Sequence, residues 1–418
     1  MFYILGIAIC LAAILQMGMW ITVTLQQSSE NRKNFETLRQ QVQQQINDAV
    51  EDRKNQSAVE STGVWNGYRE FFVSRLTKEV EAVTSVYLKP VDGKPIVEFK
   101  PGQHLTFKFN IPGESKPQVR CYSLSSAAKA DHYRISVKAM PANGSENPPG
   151  RVSNFVNKIL MEGDRVEVKA PGGAFYLDET GSSPIILLAG GIGITPMISM
   201  IDHLVSRDSQ RLIVLFYGVR NGRDHAFKDY LSRIANKYSN VHVVSCYSAP
   251  EPNEREGTDF HTAGFVSIDL IKQLLPSNQC RFYLCGPPPF MKSLYEGLTG
   301  WEVPENRINF EAFGPASLKK KSKAEESSSE SNTTSSQVTF AESEKQLSWN
   351  SDFDSILEMA EANDVPMDSG CRAGSCGTCQ TKLLNGKVKY VDGVQPDCET
   401  GQCLPCVAQP DGDIELDI

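Results

Sequence analysis

From residue 370 the chain reads Gly-Cys-Arg-Ala-Gly-Ser-Cys-Gly-Thr-Cys, and further cysteines follow at 398, 403 and 406. Cys371, Cys376 and Cys379 are spaced C-x4-C-x2-C, and a fourth cysteine lies well downstream. That spacing suits four thiolates converging on a two-iron, two-sulfide cluster, three of them from one tight loop. Glycines at 370, 374 and 377 allow positive φ in such a loop, and they let backbone N–H groups approach the sulfurs. Zinc sites use C-x2-C pairs in matched sets, and disulfide frameworks belong to small secreted domains; neither fits here. Spacing alone leaves Cys398, Cys403 and Cys406 open as the fourth ligand. Such a cluster accepts one electron at a time and makes no bonds of its own, so the rest of the chain is expected to deliver single electrons.

The chain has 418 residues, enough for two or three domains. Its formal net charge of -8 argues against a nucleic-acid partner. The cysteines outside the cluster motif, at 10, 121, 246, 280 and 285, show no pairing pattern, as expected in a reducing compartment. The six histidines form no metal-ligand spacing. Phe2 to Leu25 carries no charged residue and has the length of a bilayer-spanning helix. Arg32, Lys33 and Arg39 follow it, so the positive-inside rule places the remainder in the cytoplasm. Residues 1–25 are therefore expected to be a single-pass anchor in the cell inner membrane.

Residues 26–62 are rich in Gln, Asn, Glu and Ser, with Phe35, Leu38, Val42, Ile46 and Val50 as a narrow apolar stripe; they read as a polar helical spacer. Over 63–180, alternating stretches at Val80–Leu88, Leu105–Asn110, Arg134–Ala139 and Arg165–Ala170 predict an antiparallel β-barrel with one helix near Ser153–Leu160. Over 181–316, apolar runs at Ile185–Ala189, Leu212–Gly218, His242–Tyr247 and Arg281–Cys285 predict buried parallel strands between amphipathic helices, a doubly wound α/β domain. Residues 317–336 are low-complexity Lys, Glu and Ser, the composition of a flexible linker. Residues 337–418 hold the cysteine loop behind a helix expected at Asp352–Ala362, with Asp352 as its cap.

Arg120-Cys121-Tyr122-Ser123 places a cation and an aromatic ring on one face of a strand. Such a strand can hold a phosphate by charge, a flat ring by stacking and a ring nitrogen by hydrogen bond. Gly150-Arg151-Val152-Ser153, just before the expected helix, offers backbone N–H groups and a hydroxyl to a pyrophosphate. After the first α/β strand comes Gly190-Gly191-Ile192-Gly193-Ile194-Thr195-Pro196, a glycine turn into a helix where a dinucleotide pyrophosphate sits. Leu284-Cys285-Gly286-Pro287 ends the fourth strand at the same sheet edge. No histidine lies nearby in sequence to activate Cys285 as a nucleophile, so packing at the cofactor mouth is its expected part.

In this order, Arg120-x-Tyr122-Ser123, Gly190–Pro196, Cys285-Gly286-Pro287 and Glu311-Ala312-Phe313-Gly314 resemble the ferredoxin–NADP reductase superfamily over residues 65–316. Within it the stretch is similar to the reductase half of flavohaemoglobins. Residues 337–418 resemble a plant-type ferredoxin of β-grasp, α+β fold, and Leu404-Pro405-Cys406 with Pro410 matches its L-x-C-x-x-x-P signature. The resemblance thus implies Cys406 as the fourth ligand.

The same likeness implies FAD, with FMN less favoured, held by Arg120, Tyr122, Gly150, Val152 and Ser153, with Ser123 near flavin N5. It implies NADH or NADPH held by Gly191, Gly193, Thr195 and Gly286, with Cys285 near the nicotinamide, and Glu311 and Phe313 covering the flavin. Ser123, Tyr122 and Cys285 are the residues it places at the chemistry. His104 stands where the family usually has an aromatic after Pro-Gly-Gln, which puts that contact in question. The implied activity is electron transfer from NAD(P)H through FAD to the cluster, then to a protein acceptor: an oxygenase, a desaturase or hybrid-cluster protein. Two other readings are the flavin subunit of a membrane NADH:quinone reductase, whose ferredoxin precedes its flavin domain, and a redox sensor without turnover. Arg220 and Arg223 are candidates to meet a 2′-phosphate, although the reading leans to NADH.

Overall fold

The computed structural model describes residues 67–114, 117–128, 131–142, 149–313, 336–350, 353–370, 377–390 and 401–418, with isolated positions at 36–37, 39–41, 65, 372, 374 and 398. The expected membrane helix, nearly all of the spacer and nearly all of the linker lie outside the described residues. Among the described residues, no helix is long and apolar enough to cross a membrane.

Six antiparallel strands form the first sheet: β1 (Tyr68–Val80), β2 (Val83–Pro90), β3 (His104–Phe109), β4 (Gln118–Ser123), β5 (Tyr133–Lys138) and β6 (Arg165–Lys169). Their order is β4-β3-β6-β1-β2-β5, and a bridge from Leu124 to Ile135 joins the two edges. Phe71, Leu88, Leu105, Phe107, Tyr133, Ile135 and Val168 fill the interior. The expected strand Val80–Leu88 is corrected: it spans a hairpin, with Val80 paired to Val83. The strand β1 has no counterpart among the expected elements. Register shifts between Val73 and Arg75 and between Lys78 and Val80 bend it around the barrel and break the two-residue alternation that marks a strand. Helix α1 (Arg151–Lys158) packs Val152, Phe155 and Val156 onto the barrel.

The second sheet is wholly parallel, ordered β10-β9-β8-β7-β11-β12: β7 (Ile185–Gly190), β8 (Ile213–Val219), β9 (Val241–Tyr247), β10 (Thr262–Ala263), β11 (Arg281–Gly286) and β12 (Ile308–Ala312). Helices α2 (Ile194–Ser206), α3 (Lys228–Lys237), α4 (Ile268–Leu274) and α5 (Pro288–Gly300) cover it. Every residue of β7 is buried, because separate cores form on its two faces. The chain leaves β7 toward β8 and later returns to its other side as β11, so the strand order reverses between β7 and β11. A crevice opens at the carboxyl ends of two such strands.

The barrel and the α/β layer meet where Val80 and Val83 pack into the α/β core, and through polar groups. Arg134 of β5 reaches Asp202 Oδ2 of α2 at 3.3 Å, Ser199 Oγ donates to Ser126 O at 2.8 Å, and Asp178 N donates to Tyr283 Oη at 2.8 Å. The third unit holds β13 (Gln337–Phe340), β14 (Lys345–Ser348), α6 (Ile356–Ala362), β15 (Thr381–Asn385), β16 (Val388–Tyr390), β17 (Gln402–Cys403), β18 (Ala408–Pro410) and β19 (Ile414–Leu416). Its main sheet runs β14-β13-β19-β15-β17, with α6 packed on it through Ile356, Met359 and Ala360. The cap of α6 is not Asp352 but Ser355, whose side chain accepts from Glu358 N at 3.2 Å. Glu358 in turn accepts from Asp354 N at 2.8 Å, so a Ser-x-x-Glu arrangement sets the helix start.

Candidate functional site

One cavity of about 410 Å³ is lined by residues from all three units: His104, Arg120, Tyr122, Ser123, Val152, Ser153, Thr195, Glu311 and Phe313, with Gly370 and Arg372 from the third. The pairing of β3 with β4 sets Ser123 opposite His104 and Arg120 opposite Phe107. Arg120 is exposed, and its Nη1 donates to the neighbouring Val119 carbonyl at 2.6 Å. The Tyr122 ring stands edge-on to Phe107 and Phe109, with centroids 5.9 and 6.4 Å apart. Burial pushes its phenol well above the usual range, so it stays protonated.

The cavity floor is polar. Ser123 Oγ donates to Glu311 Oε2 at 3.0 Å, and His104 Nδ1 lies 3.5 Å from Glu311 Oε1. All three side chains are buried. In the sequence His104 stands out only as a departure from pattern, and its pairing with Glu311 is not foreseen. The available signal is a histidine inside an otherwise apolar strand start. Gly173 makes room for the imidazole, since a Cβ there would lie 2.7 Å from His104 Cε1.

Along one wall, α1 begins at Gly150 without a side-chain cap, so its first N–H groups lack intrahelical partners. Ser153 Oγ donates to Gly150 O and accepts from Met140 N, both at 3.2 Å. Asn154 Nδ2 donates to Met140 O at 2.8 Å and Gly150 O at 2.9 Å. These bonds tie the segment after β5 to the helix start and fix the wall at which a pyrophosphate would rest.

On the opposite side, β7 ends in a 3-10 turn, Gly191–Gly193, that runs straight into α2. Gly193 is packed onto the end of β11: a Cβ would fall 2.1 Å from Cys285 O, which no side chain can occupy. Thr195 Oγ1 donates to Ile192 O at 3.1 Å. Gly286 and Gly190 touch across the switch point, a Gly286 Cβ falling 3.1 Å from Gly190 Cα. Glu311 is in register with Cys285 on β11. The Cys285 thiol is wholly buried and does not line the cavity. Burial and the Glu311 carboxylate drive its pKa far up, so the structure gives it a packing position and no nucleophilic one.

Of the four cysteines expected to hold the cluster, Cys371 and Cys376 lie outside the described residues. Cys379 and Cys406 are buried in one small cluster with Leu357, Leu404 and Val407. Cys403 points into the other core of this unit, where burial raises its thiol to about 12. Cys398 donates to Gln402 O at 3.5 Å.

These residues suit the groups that the sequence implies. An exposed guanidinium and an open helix start fit phosphates. A half-buried ring wall and polar lining fit a flavin, and Gly370 and Arg372, which flank Cys371 in the sequence, line the same cavity. Family profiles match in the same order: the oxidoreductase FAD-binding domain over residues 81–176, the oxidoreductase NAD-binding domain over 187–296 and the 2Fe-2S iron-sulfur cluster binding domain over 338–411. The flavohemoprotein of Halalkalibacterium halodurans is 40% identical over 267 residues, which are 64% of this chain and 65% of that protein. That of Rhodopirellula baltica is 41% identical over 254 residues, 60% of this chain and 62% of its own. The chain therefore spans somewhat under two thirds of the length of these relatives.

Among solved structures, the FAD/NAD-binding domain of nitric oxide dioxygenase from Vibrio cholerae O1 biovar El Tor is 31% identical (TM-score 0.54), covering 59% of this chain and 99% of that one. Phthalate dioxygenase reductase, a modular structure for electron transfer from pyridine nucleotides to [2Fe-2S], is 27% identical (TM-score 0.54), covering 84% of this chain and 98% of that one. The chain carries the domain set of an NAD(P)H-dependent oxidoreductase: FAD- and NAD-binding domains of the ferredoxin–NADP reductase type and a C-terminal 2Fe-2S domain, arranged as in phthalate dioxygenase reductase.

Proposed function

We propose that this chain takes electrons from NADH or NADPH, passes them through FAD to its [2Fe–2S] cluster, and delivers them singly to a protein acceptor such as an oxygenase, a desaturase or hybrid-cluster protein. One observation carries the reading. Arg120, Tyr122 and Ser123 of the barrel, Thr195 of the α/β unit, and the two residues flanking Cys371 all line a single cavity. Bound there, FAD supplies the exchange between a two-electron donor and a one-electron acceptor. The chain's own residues bind and orient it. Arg120 offers charge to a phosphate, and Gly150, Val152 and Ser153 offer the helix start. Tyr122 supplies a ring wall, while Phe313, exposed to solvent, also lines the cavity. Ser123, oriented by Glu311, presents a hydroxyl at the floor. Gly191, Gly193, Thr195 and Gly286 frame the crevice for the dinucleotide. Cys371, Cys376, Cys379 and Cys406 hold the cluster, whose plant-type potential of about -400 mV suits a demanding acceptor.

The apolar stretch 2–25 and the basic residues after it support a single-pass anchor in the cell inner membrane with the catalytic units in the cytoplasm. Carbonate-washed membranes should retain the full chain and lose a version starting at residue 26. The central test is anaerobic addition of NADH or NADPH to protein replete in FAD and iron. The visible absorption of the cluster should bleach, and a rhombic spin-half EPR signal should appear. Flavin bleaching without any cluster signal would overturn the proposal.

A further inference from the structure

The turn after β8, Arg220-Asn221-Gly222-Arg223-Asp224, lies where a doubly wound sheet reads the adenosine ribose. An acid there receives the 2′-hydroxyl of one coenzyme, whereas an arginine receives the 2′-phosphate of the other. By composition the turn favours the phosphate, with two arginines in four residues. The structure gives Arg223 and Asp224 partners of their own. Arg223 is held in a two-pronged pair with Glu251, Nε to Oε1 at 2.9 Å and Nη2 to Oε2 at 3.1 Å, which occupies one edge of its donor fork. Glu254 lies against the turn itself. Its Oε1 accepts from Gly222 N and its Oε2 from Glu251 N, both at 2.7 Å.

The absence of a side chain at Gly222 permits this approach, since a Cβ would fall 2.5 Å from Glu254 Oε1. Each carboxylate oxygen has a second lone pair, so Glu254 can still accept from a ribose hydroxyl. The third acid, Asp224, is taken up by Lys138 of the barrel at 2.8 Å. Arg220 remains as the turn's cation, exposed to solvent.

We propose that Glu251 and Glu254, from the segment after β9, make the coenzyme site select a nicotinamide dinucleotide with a free 2′-hydroxyl over its 2′-phosphorylated form. Glu251 withholds Arg223 from the phosphate, and Glu254 sets a fixed negative charge beside it. The inference rests on the proposed function, in that it takes the C-terminal edge of this sheet as the coenzyme site.

Titration calorimetry on the oxidised, FAD-loaded full chain tests it without any turnover. The probes are 5′-AMP and adenosine 2′,5′-bisphosphate, which differ only in the 2′-phosphate. Wild type should bind 5′-AMP at least about tenfold more tightly. Glu251→Gln should move the ratio at least about tenfold toward the bisphosphate, and adding Arg223→Ala should return it, because the gain runs through the freed guanidinium. Glu254→Gln, which keeps an acceptor for Gly222 N, should move the ratio the same way and guards against a folding defect in the first variant. A wild type that binds both probes equally, or prefers the bisphosphate, overturns the selectivity while leaving the proposed function standing. So does a ratio unmoved in both glutamine variants. Failure of both probes to bind overturns the coenzyme site and with it the proposed function.

Discussion

Glu311 is shared between Ser123 and His104, and all three side chains are largely buried at the edge of the cavity, so each of the three depends on the others. Ser123→Ala removes the donor to Oε2 and leaves a buried carboxylate oxygen without it, at a cost of about 1–3 kcal/mol. Urea unfolding of flavin-free protein should show the loss. An unchanged midpoint would mean that Glu311 finds another donor. The cysteines make a sharper contrast. Cys406→Ser should abolish the cluster's visible absorption and lower iron content, whereas Cys403→Ser should keep both, because the Cys403 thiol belongs to the core away from Cys379. If iron is lost from the Cys403 variant and kept in the Cys406 variant, the ligand assignment is reversed. At this scale the sequence is informative where partners are close in the chain: Arg120, Tyr122 and Ser123 share a strand, and the cysteine loop is contiguous. It is silent on His104 with Glu311, and on Arg223 with Glu251, because those pairs are made by strand crossing and by loops that meet only in the fold.

Elements are legible in proportion to how evenly their surroundings repeat. The strands β7, β8 and β11 are buried on both faces, so their unbroken apolar runs stand out, and the expected ranges fall within a residue or two of those observed. β1 escapes notice because its two register shifts interrupt alternation, and β10 because two residues are too few to carry a period. The start of α6 is misplaced for a different reason. Asp352 and Ser355 both have cap chemistry, and only Ser355 has an acid three residues on to complete the reciprocal bonds. Ser355→Ala should therefore cost about 1 kcal/mol, read as a lower urea midpoint for loss of cluster absorption. Asp352→Ala should leave that midpoint in place, and equal losses in the two variants would return the cap to Asp352.

At the scale of the whole molecule, what matters is that three separately cored units contribute to one cavity. Arg372 lines it, exposed and paired with Glu361 Oε2 at 2.9 Å, a partner within the cluster unit itself. Among the described residues, Gly370 and Arg372 are the members of that unit that line the cavity. The covalent connection through residues 317–336 keeps the cluster unit on the same chain as the flavin unit. A connection of that length and composition gives an effective concentration in the millimolar range. Cutting the full chain at a protease site placed within 317–336 should therefore make coenzyme-driven bleaching of the cluster depend on dilution. Bleaching of the flavin, which needs only residues before the cut, should not change with dilution. Stopped-flow traces of cut protein at two concentrations about a hundredfold apart decide the matter. If cluster bleaching keeps one rate across that range, the units stay docked after cutting without the connection.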